Sequence, residues 1–560
     1  MGSLARRTTC VAAAALVLAA IFATPALAAP GFVRFDSVER LAGSDRYSTS
    51  VRVAREAFPG WAGVNHVVVA SGDRGLADAL AASGLCWAYD APLLLVSTSG
   101  VPSSVLGALG EIASANPTVT IHAVGGTAPL PDSVLAAASR AAGDATVDRI
   151  AGVDRYYTAA EVARRMAAVA QETSRSAGPE ALIANGADAG HSTDALVCAA
   201  ISASAGKPLL LVRPDAIPPA TERALRDLGL TERYVAGGPK PVSSVVVSAL
   251  GARRLAGPDR YSTATAIARK AVAEGWVGGG TVGIAGTVVD SLSGAGLMAR
   301  LHSAVLLTRT GGLPNATVYY LDDLPRSTAA YVLGGERVVG SNVVRELEGF
   351  PAEPVFTGLP AGTDYAGSRV PARLAVGVNT ERVRIYHDGR MVAERQVTPF
   401  STVDLGYVSV SGSRDEIKAV AYSDAGNTGN TLRVRPLGYP WSTYIVVDKS
   451  EFRLYFVKGG VLEDWYPVAH GKHGCTPAAI WRIDAKYYTS PTSVYGPRKM
   501  RLFRQVSPGR FVFTAYGIHG TNQPWVIGTE ASHGCIRMYN SDVLELFPRV
   551  PLHTMVVTRE

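Results

Sequence analysis

The stretch that decides the N-terminal fold occurs three times, as RLAGSDRY at residues 40–47, RIAGVDRY at residues 149–156 and RLAGPDRY at residues 254–261. The copies are 109 and then 105 residues apart. Self-similarity at a nearly fixed period indicates that each copy begins one structural unit. We therefore predict three related units, at residues 37–145, 146–250 and 251–350.

Each unit continues through the same series of elements. An apolar strand ends at Gly72, Gly186 or Gly286, and a helix opens at Asp78, Asp194 or Asp290. The next strand begins at Pro92, Pro208 or Ala304, and a further strand ends in a Gly-Gly pair at residues 125–126, 237–238 or 334–335. Apolar strands without alternation, separated by helices, predict α/β units with parallel sheets covered on both faces. The third unit departs from the pattern, since Ala304 replaces the proline, and we expect it to cap a side-by-side stack.

These Asp-Arg-Tyr elements and the Gly-Asp-helix pattern resemble the cell wall binding repeat type 2 family. The resemblance implies non-covalent retention on an anionic secondary cell-wall polymer that lies in grooves between repeats. The candidate polymer-binding residues are Arg46, Tyr47, Arg155, Tyr156, Arg260 and Tyr261. The alternative is structural: the arginines pair with Asp45, Asp154 and Asp259 or their neighbours and only start a helix.

Residues 354–440 have short alternating strands instead. RVRIY at residues 382–386 and RMVA at residues 390–393 flank the turn His387-Asp388-Gly389 and predict a hairpin. We expect a small β-sandwich that acts as a spacer, with His387 solvated in its turn.

The C-terminal region gathers a thiol and two imidazoles among glycines, in IHGT at residues 518–521 and ASHGCIRM at residues 531–538. A cysteine attacks as the thiolate, and because a free thiol has a pKa of about 8.5 it needs a nearby base. His519 and His533 are the candidates. Gly534 allows the backbone to approach a substrate and to direct an amide at an oxyanion.

The spacing of these residues resembles that of the L,D-transpeptidase catalytic-domain family, over residues 442–560. The resemblance implies a mainly-β domain in which Cys535 is the nucleophile, His519 the proton acceptor and His533 a supporting residue. It also implies a peptidoglycan stem peptide as donor, a thioester intermediate, a 3-3 cross-link as product and no metal or cofactor. We expect the Cys535 amide, with that of Gly534, to stabilise the oxyanion, and Ser532 and Gly520 to shape the site. Arg537 either binds a stem carboxylate or forms a structural ion pair.

Several alternatives share these residues. Water in place of an amine would make the protein an L,D-carboxypeptidase, and a domain that only binds glycopeptide would make it a non-catalytic surface protein. A zinc site could draw on His470, His473 and Cys475 together with His519, His533 and Cys535. A Cys475–Cys535 disulfide would block the nucleophile.

The N-terminal sequence predicts an export signal over residues 1–28, because it contains Arg6-Arg7, an apolar run and a cleavage site of the small-x-small type. We therefore expect an extracellular, wall-associated protein without a mature membrane span. Residues 442–560 carry a net charge of +5, whereas residues 29–441 sum to zero. A basic catalytic region suits a substrate with carboxylates, and the absence of a basic run argues against nucleic acid. Cys86 and Cys198 fall in Ala/Leu-rich helices and are predicted to be buried and unpaired.

Overall fold

A computed structural model describes residues 32–176, 178–187, 192–324, 329–357, 364–365, 367–410, 415–437 and 439–560. The signal peptide predicted at residues 1–28 lies outside the described residues. None of the helices in the described ranges has the length and apolar character needed to cross a membrane.

The first unit alternates strands and helices. Its elements are β1 (Ser37–Leu41), α1 (Arg46–Ala57), β2 (His66–Ser71), α2 (Leu76–Tyr89), β3 (Leu93–Val96), α3 (Ser103–Ala115), β4 (Thr120–Val124) and α4 (Asp132–Ala141). The second unit repeats the order with β5 (Thr146–Ile150), α5 (Arg155–Glu172), β6 (Glu180–Asn185), α6 (Ser192–Ala205), β7 (Leu209–Val212), α7 (Pro219–Asp227), β8 (Glu232–Ala236) and α8 (Ser244–Leu250).

The third unit follows the same order, except that its central helix is divided in two. Its elements are β9 (Arg253–Leu255), α9 (Arg260–Ala273), β10 (Thr281–Ala285), α10 (Val288–Ser293), α11 (Ala295–Leu301), β11 (Val305–Leu307), α12 (Asn315–Asp322), β12 (Ala329–Leu333) and α13 (Ser341–Leu347). The α/β character predicted from the sequence is confirmed in all three units.

Each unit completes its sheet with a strand from another unit. The strand orders are β3-β2-β4-β5, β7-β6-β8-β9 and β11-β10-β12-β1, and all pairings within them are parallel. The first strand of each sequence repeat thus joins the sheet of the preceding repeat, and β1 joins the sheet of the third. The three units therefore form a closed ring. The expectation that the third unit caps an open stack is wrong, because its sheet receives β1 as its edge strand.

The arginine that opens each repeat holds this donated strand in place. Each guanidinium donates to the carbonyl of the first glycine in the Gly-Gly pair on the neighbouring strand, in the pairs Arg40–Gly334 (2.9 Å), Arg149–Gly125 (2.8 Å) and Arg254–Gly237 (2.6 Å). One charged donor thus satisfies a carbonyl at the end of each sheet.

The core of the ring contains residues from all three units. The helices α2, α6 and α11 contact one another at its centre. Cys86 and Cys198 lie on the first two of these helices, both are free and buried, and the prediction for them is confirmed. Burial raises the pKa of the Cys86 thiol to about 12, so it stays a neutral apolar side chain.

The spacer consists of β13 (Val355–Phe356), β14 (Asp364–Tyr365), β15 (Arg369–Ala375), β16 (Arg382–His387), β17 (Arg390–Gln396), β18 (Thr402–Ser409), β19 (Asp415–Ser423) and β20 (Gly426–Pro436). One sheet has the order β14-β20-β19-β16-β17, whereas β13, β15 and β18 continue into the sheet of the C-terminal domain, where Arg369 of β15 pairs with Val461. The hairpin of β16 and β17 is present as predicted.

The C-terminal domain contains β21 (Tyr444–Asp448), β22 (Arg453–Lys458), β23 (Val461–Gly471), β24 (Ala479–Tyr488), β25 (Arg498–Ser507), β26 (Arg510–His519), β27 (Glu530–Ser532), β28 (Ile536–Met538), α14 (Asn540–Arg549) and β29 (Met555–Arg559). It is mainly β, as the resemblance implied. The residue before α14 is Tyr539, and its side chain does not cap the helix.

Both joints between the three parts are packed. Asn379, buried and at φ 58°, donates to the carbonyls of Glu346 (2.7 Å) and Phe350 (3.1 Å) and accepts from the Val33 amide (2.8 Å). The spacer and the C-terminal domain share one apolar cluster that includes Val370 and Tyr444. The spacer is therefore bonded to the ring and continuous in its core with the C-terminal domain.

Candidate active site

Cys535 lies in the short link between β27 and β28, directly after Gly534. Gly534 has φ +124°, and a Cβ atom there would lie 2.0 Å from Cε1 of Tyr516 and 2.8 Å from the carbonyl oxygen of Cys475. Backbone conformation and available space both require glycine at this position. Cys535 is only partly buried, and its Sγ lies 3.8 Å from the carbonyl oxygen of Ala515.

Two buried hydroxyls hold the backbone on both sides of Gly534. Ser532 Oγ donates to the Cys535 carbonyl (2.6 Å) and accepts from the Gly534 amide (2.9 Å). Thr476 Oγ1 donates to the Gly534 carbonyl (2.8 Å) and accepts from the Gly471 amide (2.8 Å). Ser532 is thus a clamp on the nucleophile's own backbone. Because the Gly534 amide is already engaged, the structure does not support its expected part in an oxyanion hole.

His519 ends β26, the strand beside β28. Its Nδ1 lies 2.5 Å from the Gly520 carbonyl oxygen. A carbonyl only accepts, so Nδ1 carries the proton and Nε2 keeps a free lone pair in the neutral ring. The register of these parallel strands places Ile518 opposite Ile536 and His519 opposite Arg537. His519 therefore lies on the strand beside β28, which Cys535 directly precedes, and Nε2 is the nitrogen available as a base.

The surroundings of His519 keep its ring neutral. Burial, followed by the positive charges of Lys499 and Arg537, lowers the pKa of His519 to about 4, although the hydrogen bond to Gly520 acts in the opposite direction. A histidine with this pKa is unprotonated at neutral pH and can accept a proton from a thiol.

Gly520 lies against a second glycine and an asparagine. A Cβ on Gly520 would be 2.4 Å from Oδ1 of Asn540 and 3.1 Å from the Cα of Gly496. The same Oδ1 accepts from the Thr521 amide at 2.9 Å. Gly520 thus packs directly against Asn540 and Gly496. Asn540 was not predicted from the sequence, because a single polar residue outside a motif gives no signal of such a contact.

Tyr495, in the segment between β24 and β25, also covers the histidine. Its ring meets that of His519 edge-on, with centroids 5.1 Å apart and an interplanar angle of 90°. Sequence reasoning did not find Tyr495, since this segment has no periodicity and no motif, and only the fold brings it over His519.

The other candidates in this domain are Arg537, His533 and His470, and each has a different environment. Arg537 donates to Oε1 of Gln523 at 3.0 Å and forms no ion pair with any described carboxylate. His533 is exposed on the link between β27 and β28. His470 is buried and contacts the carbonyls of Gly471 and Lys449. In the part of the chain that the structure describes, it belongs to no group of side chains close enough together to bind a metal ion.

The alternatives based on sulfur and metal receive no support from this geometry. Cys475 and Cys535 are both free, and Cys475 is exposed. Among the described residues, the side chains close enough together to bind a metal ion are those of His387, Asp388 and Asp415 in the spacer, and no such group lies around Cys535. His387 Nε2 lies 2.7 Å from Oδ1 of the buried Asp415, so the expectation that His387 is simply solvated is wrong.

In the ring, the aspartates and arginines of the repeated motif have separate structural partners. Asp45, Asp154 and Asp259 each accept backbone amides at the start of α1, α5 and α9. Arg46 and Arg155 donate, at 2.7 Å, to the carbonyls of Gly72 and Gly186 at the ends of the adjacent strands. The structural alternative therefore holds for the caps, but the arginines bind glycine carbonyls and not the aspartates.

The aromatic candidates of the ring differ from one another. Tyr47 donates to Asp73 at 3.4 Å. Tyr156 is buried beneath the guanidinium of Arg213, and Tyr261 lies under that of Arg309. Arg260 is exposed. A cavity of about 220 Å³ between the first two units is lined by residues that include Asp73, Arg155 and Asn185.

Comparison with known proteins finds a matching family for the ring and another for the C-terminal domain. The model of cell wall binding domain 2 matches residues 40–135, 149–247 and 254–344, and the L,D-transpeptidase catalytic domain model matches residues 442–558. The chain is 28% identical to the N-acetylmuramoyl-L-alanine amidase LytC of Bacillus subtilis over 336 residues, which cover 59% of this chain and 62% of LytC.

Several L,D-transpeptidases are similar to the C-terminal domain, among them YqjB and YkuD. The putative L,D-transpeptidase YqjB of Bacillus subtilis is 34% identical over 137 residues, which cover 22% of this chain and 76% of YqjB. The putative L,D-transpeptidase YkuD of Bacillus licheniformis is 63% identical over 118 residues, which cover 21% of this chain and 64% of YkuD.

Fold and site together define a modular protein in which a ring of three wall-binding repeats is joined, through a β-sandwich, to a cysteine-centred catalytic domain. The chain belongs to the cell wall binding domain 2 family, and its C-terminal part is an L,D-transpeptidase catalytic domain.

Proposed function

We propose that the protein is an exported L,D-transpeptidase that acylates Cys535 with a peptidoglycan stem peptide and transfers the acyl group to a second stem, forming a 3-3 cross-link. The observation that carries the proposal is the fixed tautomer of His519. Its Nδ1–H donates to the Gly520 carbonyl, and its Nε2 remains available as a base. His519 lies on β26, beside the strand β28 that Cys535 directly precedes.

The first half-reaction forms a thioester. Nε2 of His519 takes the proton of the Cys535 thiol, and Sγ attacks the carbonyl carbon of the third stem residue. The tetrahedral intermediate then expels the amine of the terminal D-alanine, which receives the proton from the His519 imidazolium. One C–N bond is broken and one C–S bond is formed, so the acyl group stays on the enzyme.

The second half-reaction releases the product. The side-chain amine of an acceptor stem attacks the thioester carbonyl, and His519 takes one proton from that amine. The C–S bond then breaks, and the thiolate leaves and recovers the proton from His519. If water replaces the amine, the same steps give an L,D-carboxypeptidase.

We assign the oxyanion contact to the backbone amide of Cys535. The neighbouring Gly534 amide donates to Ser532 Oγ, whereas the Cys535 amide forms no hydrogen bond with any group that the structure describes. The clamp formed by Ser532 and Thr476 fixes the orientation of this amide before the substrate arrives, which is the preorganisation that stabilises an oxyanion. His533, exposed beside the nucleophile, is placed to contact the incoming stem.

We further propose that the ring retains the enzyme on an anionic wall polymer after signal-peptide cleavage at the end of residues 1–28. The cavity beside Arg155, between the first two units, supports this role. Because residues 29–441 carry no net charge, binding depends on local groups such as Arg46, Arg155 and Arg260. The spacer at residues 354–440 then sets the distance between the polymer and the active site.

Mass spectrometry of the full chain incubated with a disaccharide tetrapeptide tests the catalytic proposal. We expect an acyl adduct on Cys535 and a cross-linked dimer as product. A tripeptide alone would identify a hydrolase, and no adduct would leave a wall-binding protein without this chemistry.

Two variants serve as controls. Cys535→Ala should abolish the adduct but retain binding to isolated walls, because the ring is a separate part of the molecule. Cys475→Ser removes the other exposed thiol of the domain and should leave the adduct unchanged; loss of the adduct in that variant would contradict the assignment of Cys535.

A further inference from the structure

Three basic side chains lie beside one another across the catalytic face of the sheet. In the register of the strands, Lys499 of β25 is opposite His519 of β26, and His519 is opposite Arg537 of β28. Residues that are paired across neighbouring strands project from the same face of a sheet. His519 therefore has a cation on either side, which agrees with the effect of both charges on its pKa.

Lys499 is buried without a negative partner. It is only 5% exposed, and in the part of the chain that the structure describes no carboxylate forms an ion pair with it. Its ammonium lies 3.7 Å from the centroid of the Tyr495 ring, the aromatic residue that also covers His519. A buried ammonium is strongly unfavourable unless an anion or hydrogen-bond acceptors compensate for the lost water, and a cation–π contact offsets only part of this cost.

A second cation of the same strand faces the same way. Arg501 lies two residues from Lys499 and opposite Gly517, so the alternation of a strand directs both side chains to one face. The Nε of Arg501 is buried and has no acceptor among the described groups. Its guanidinium packs near the rings of Phe513 and Tyr487, at 4.9 and 5.5 Å from their centroids.

Gly517 provides the space for the lysine. A Cβ atom at this position would lie 3.1 Å from Cε of Lys499 and 2.8 Å from the carbonyl oxygen of Met500. The lysine chain thus passes directly over the backbone that leads to His519. The result is a pair of cations with unused donors, held by aromatic rings and a glycine next to the proposed base.

We propose that Lys499 and Arg501 form a receptor for a free carboxylate of the peptide donor and so select donors that carry it. This inference rests on the proposed function and adds two specificity residues to it. Arg537, on the other side of His519, contacts Gln523 and is not part of the receptor. The carboxylate is either the C-terminal one of the donor or one within its stem, and both present the same two oxygens to an ammonium and a guanidinium.

The test compares three donors on the full chain: a tetrapeptide with all carboxylates free, the same peptide with a C-terminal carboxamide, and the same peptide with its internal carboxylates amidated. The rate constant for acylation of Cys535 over KM is measured for wild type, Lys499→Met and Lys499→Arg. We expect wild type to prefer the free donor over one of the amidated donors by about tenfold or more, since a charge-assisted hydrogen bond has that strength. Lys499→Met should lose the preference, and Lys499→Arg should keep most of it.

Lys458→Met is the matched control, because Lys458 is an exposed lysine at the end of β22, and its preference should remain that of wild type. An Arg501→Met variant should reduce the same preference as Lys499→Met. If wild type shows no preference among the donors, or if Lys499→Met slows all three equally, the receptor does not exist. If Lys499 only kept His519 neutral, Lys499→Met would move the acid limb of the pH–rate profile to higher pH and leave the donor preference intact.

A binding experiment separates this inference from the proposed function. In the Cys535→Ala background, calorimetric affinities for the three peptides should show the same preference, and adding Lys499→Met should remove it. If wild type forms no acyl adduct but this preference persists, the reaction is wrong and the receptor is right. If the adduct forms and affinity is indifferent to amidation and to Lys499, the receptor is wrong.

Discussion

Most charged residues of the repeated motif in the ring have hydrogen-bond partners, whereas two on the catalytic face have donors without one in the described part of the chain. In the ring, the repeated aspartates cap helices and Arg40, Arg149 and Arg254 bind glycine carbonyls at sheet ends. On the catalytic face, Lys499 is buried without an acid, and the Nε atom of Arg501 has no acceptor among the described groups. Satisfied charges maintain a fold, whereas unsatisfied buried donors indicate a place for a ligand. The aspartates and the opening arginines of the repeated motif are therefore structural, whereas the proposed chemistry depends on residues that occur once.

The largest effect is expected at the glycine before the nucleophile. Gly534→Ala places a Cβ 2.0 Å from the Tyr516 ring at φ +124°, and we expect a loss of about 3 kcal/mol or more in unfolding free energy of the domain, together with loss of acylation. Thermal unfolding and the Cys535 adduct measure the two. Gly509→Ala is the control, because Gly509 also has positive φ, at +76°, but open space around it. Equal destabilisation of both variants would show that overlap with Tyr516 is unimportant.

The second prediction concerns the pH dependence of acylation. Because the pKa of His519 is lowered to about 4, the base is neutral above that pH. The rate should fall only as the pH drops through about 4, and not near the usual 6.5 of histidine. Between these values the unfolded chain binds the proton more readily than the folded one, so the contribution of His519 to stability is lost as the pH falls through the same window. An acid limb near 6.5, measured as kcat/KM against pH, would contradict this environment.

A smaller effect is expected in the ring, at its buried carboxyl group Glu346. Burial raises the pKa of Glu346 to about 7, while the hydrogen bond from the Leu313 amide acts against this. Its contribution to stability is thus fully present below the ordinary pKa of glutamate and is lost as the pH rises through 7. Glu346→Gln should raise the thermal midpoint by a few degrees at pH 8 and change it little at pH 4.5. If Glu346→Gln and wild type had equal thermal midpoints at both pH values, the raised pKa of Glu346 would be contradicted.

The smallest effect is expected for the motif that is easiest to see in the sequence. Asp45→Ala removes the side chain that accepts the Ser48 amide at 2.7 Å and should cost about 1 kcal/mol of unfolding free energy. Binding to isolated walls should remain within about twofold of wild type. If Asp45→Ala abolished wall binding while the ring stayed folded, the division between structural repeats and single functional residues would be wrong.

Much of the fold could be predicted because its signals are local. The apolar strands without alternation, such as Pro92-Leu93-Leu94-Leu95, indicate buried parallel sheets, and the alternation at residues 382–393 indicates a hairpin. The proposed nucleophile and base could also be selected from the sequence, since Cys535 and His519 stand in short glycine-containing motifs. The register that makes Lys499, His519 and Arg537 neighbours was not, because it depends on bulges and on a loop between β26 and β28 that no local pattern specifies.

The sequence by itself determined that three α/β units precede a β-spacer and a thiol-bearing β-domain, because hydrophobic periodicity and motif spacing are properties of the chain. Only the tertiary structure decided that the units close into a ring, that the Gly534 amide is engaged by Ser532, and that Tyr495 and Lys499 adjoin His519. The physical reason is that ring closure, hydrogen-bond satisfaction and burial depend on which distant segments meet in space. Those contacts link residues hundreds of positions apart in the ring and about twenty apart in the active site, beyond the range of any local pattern.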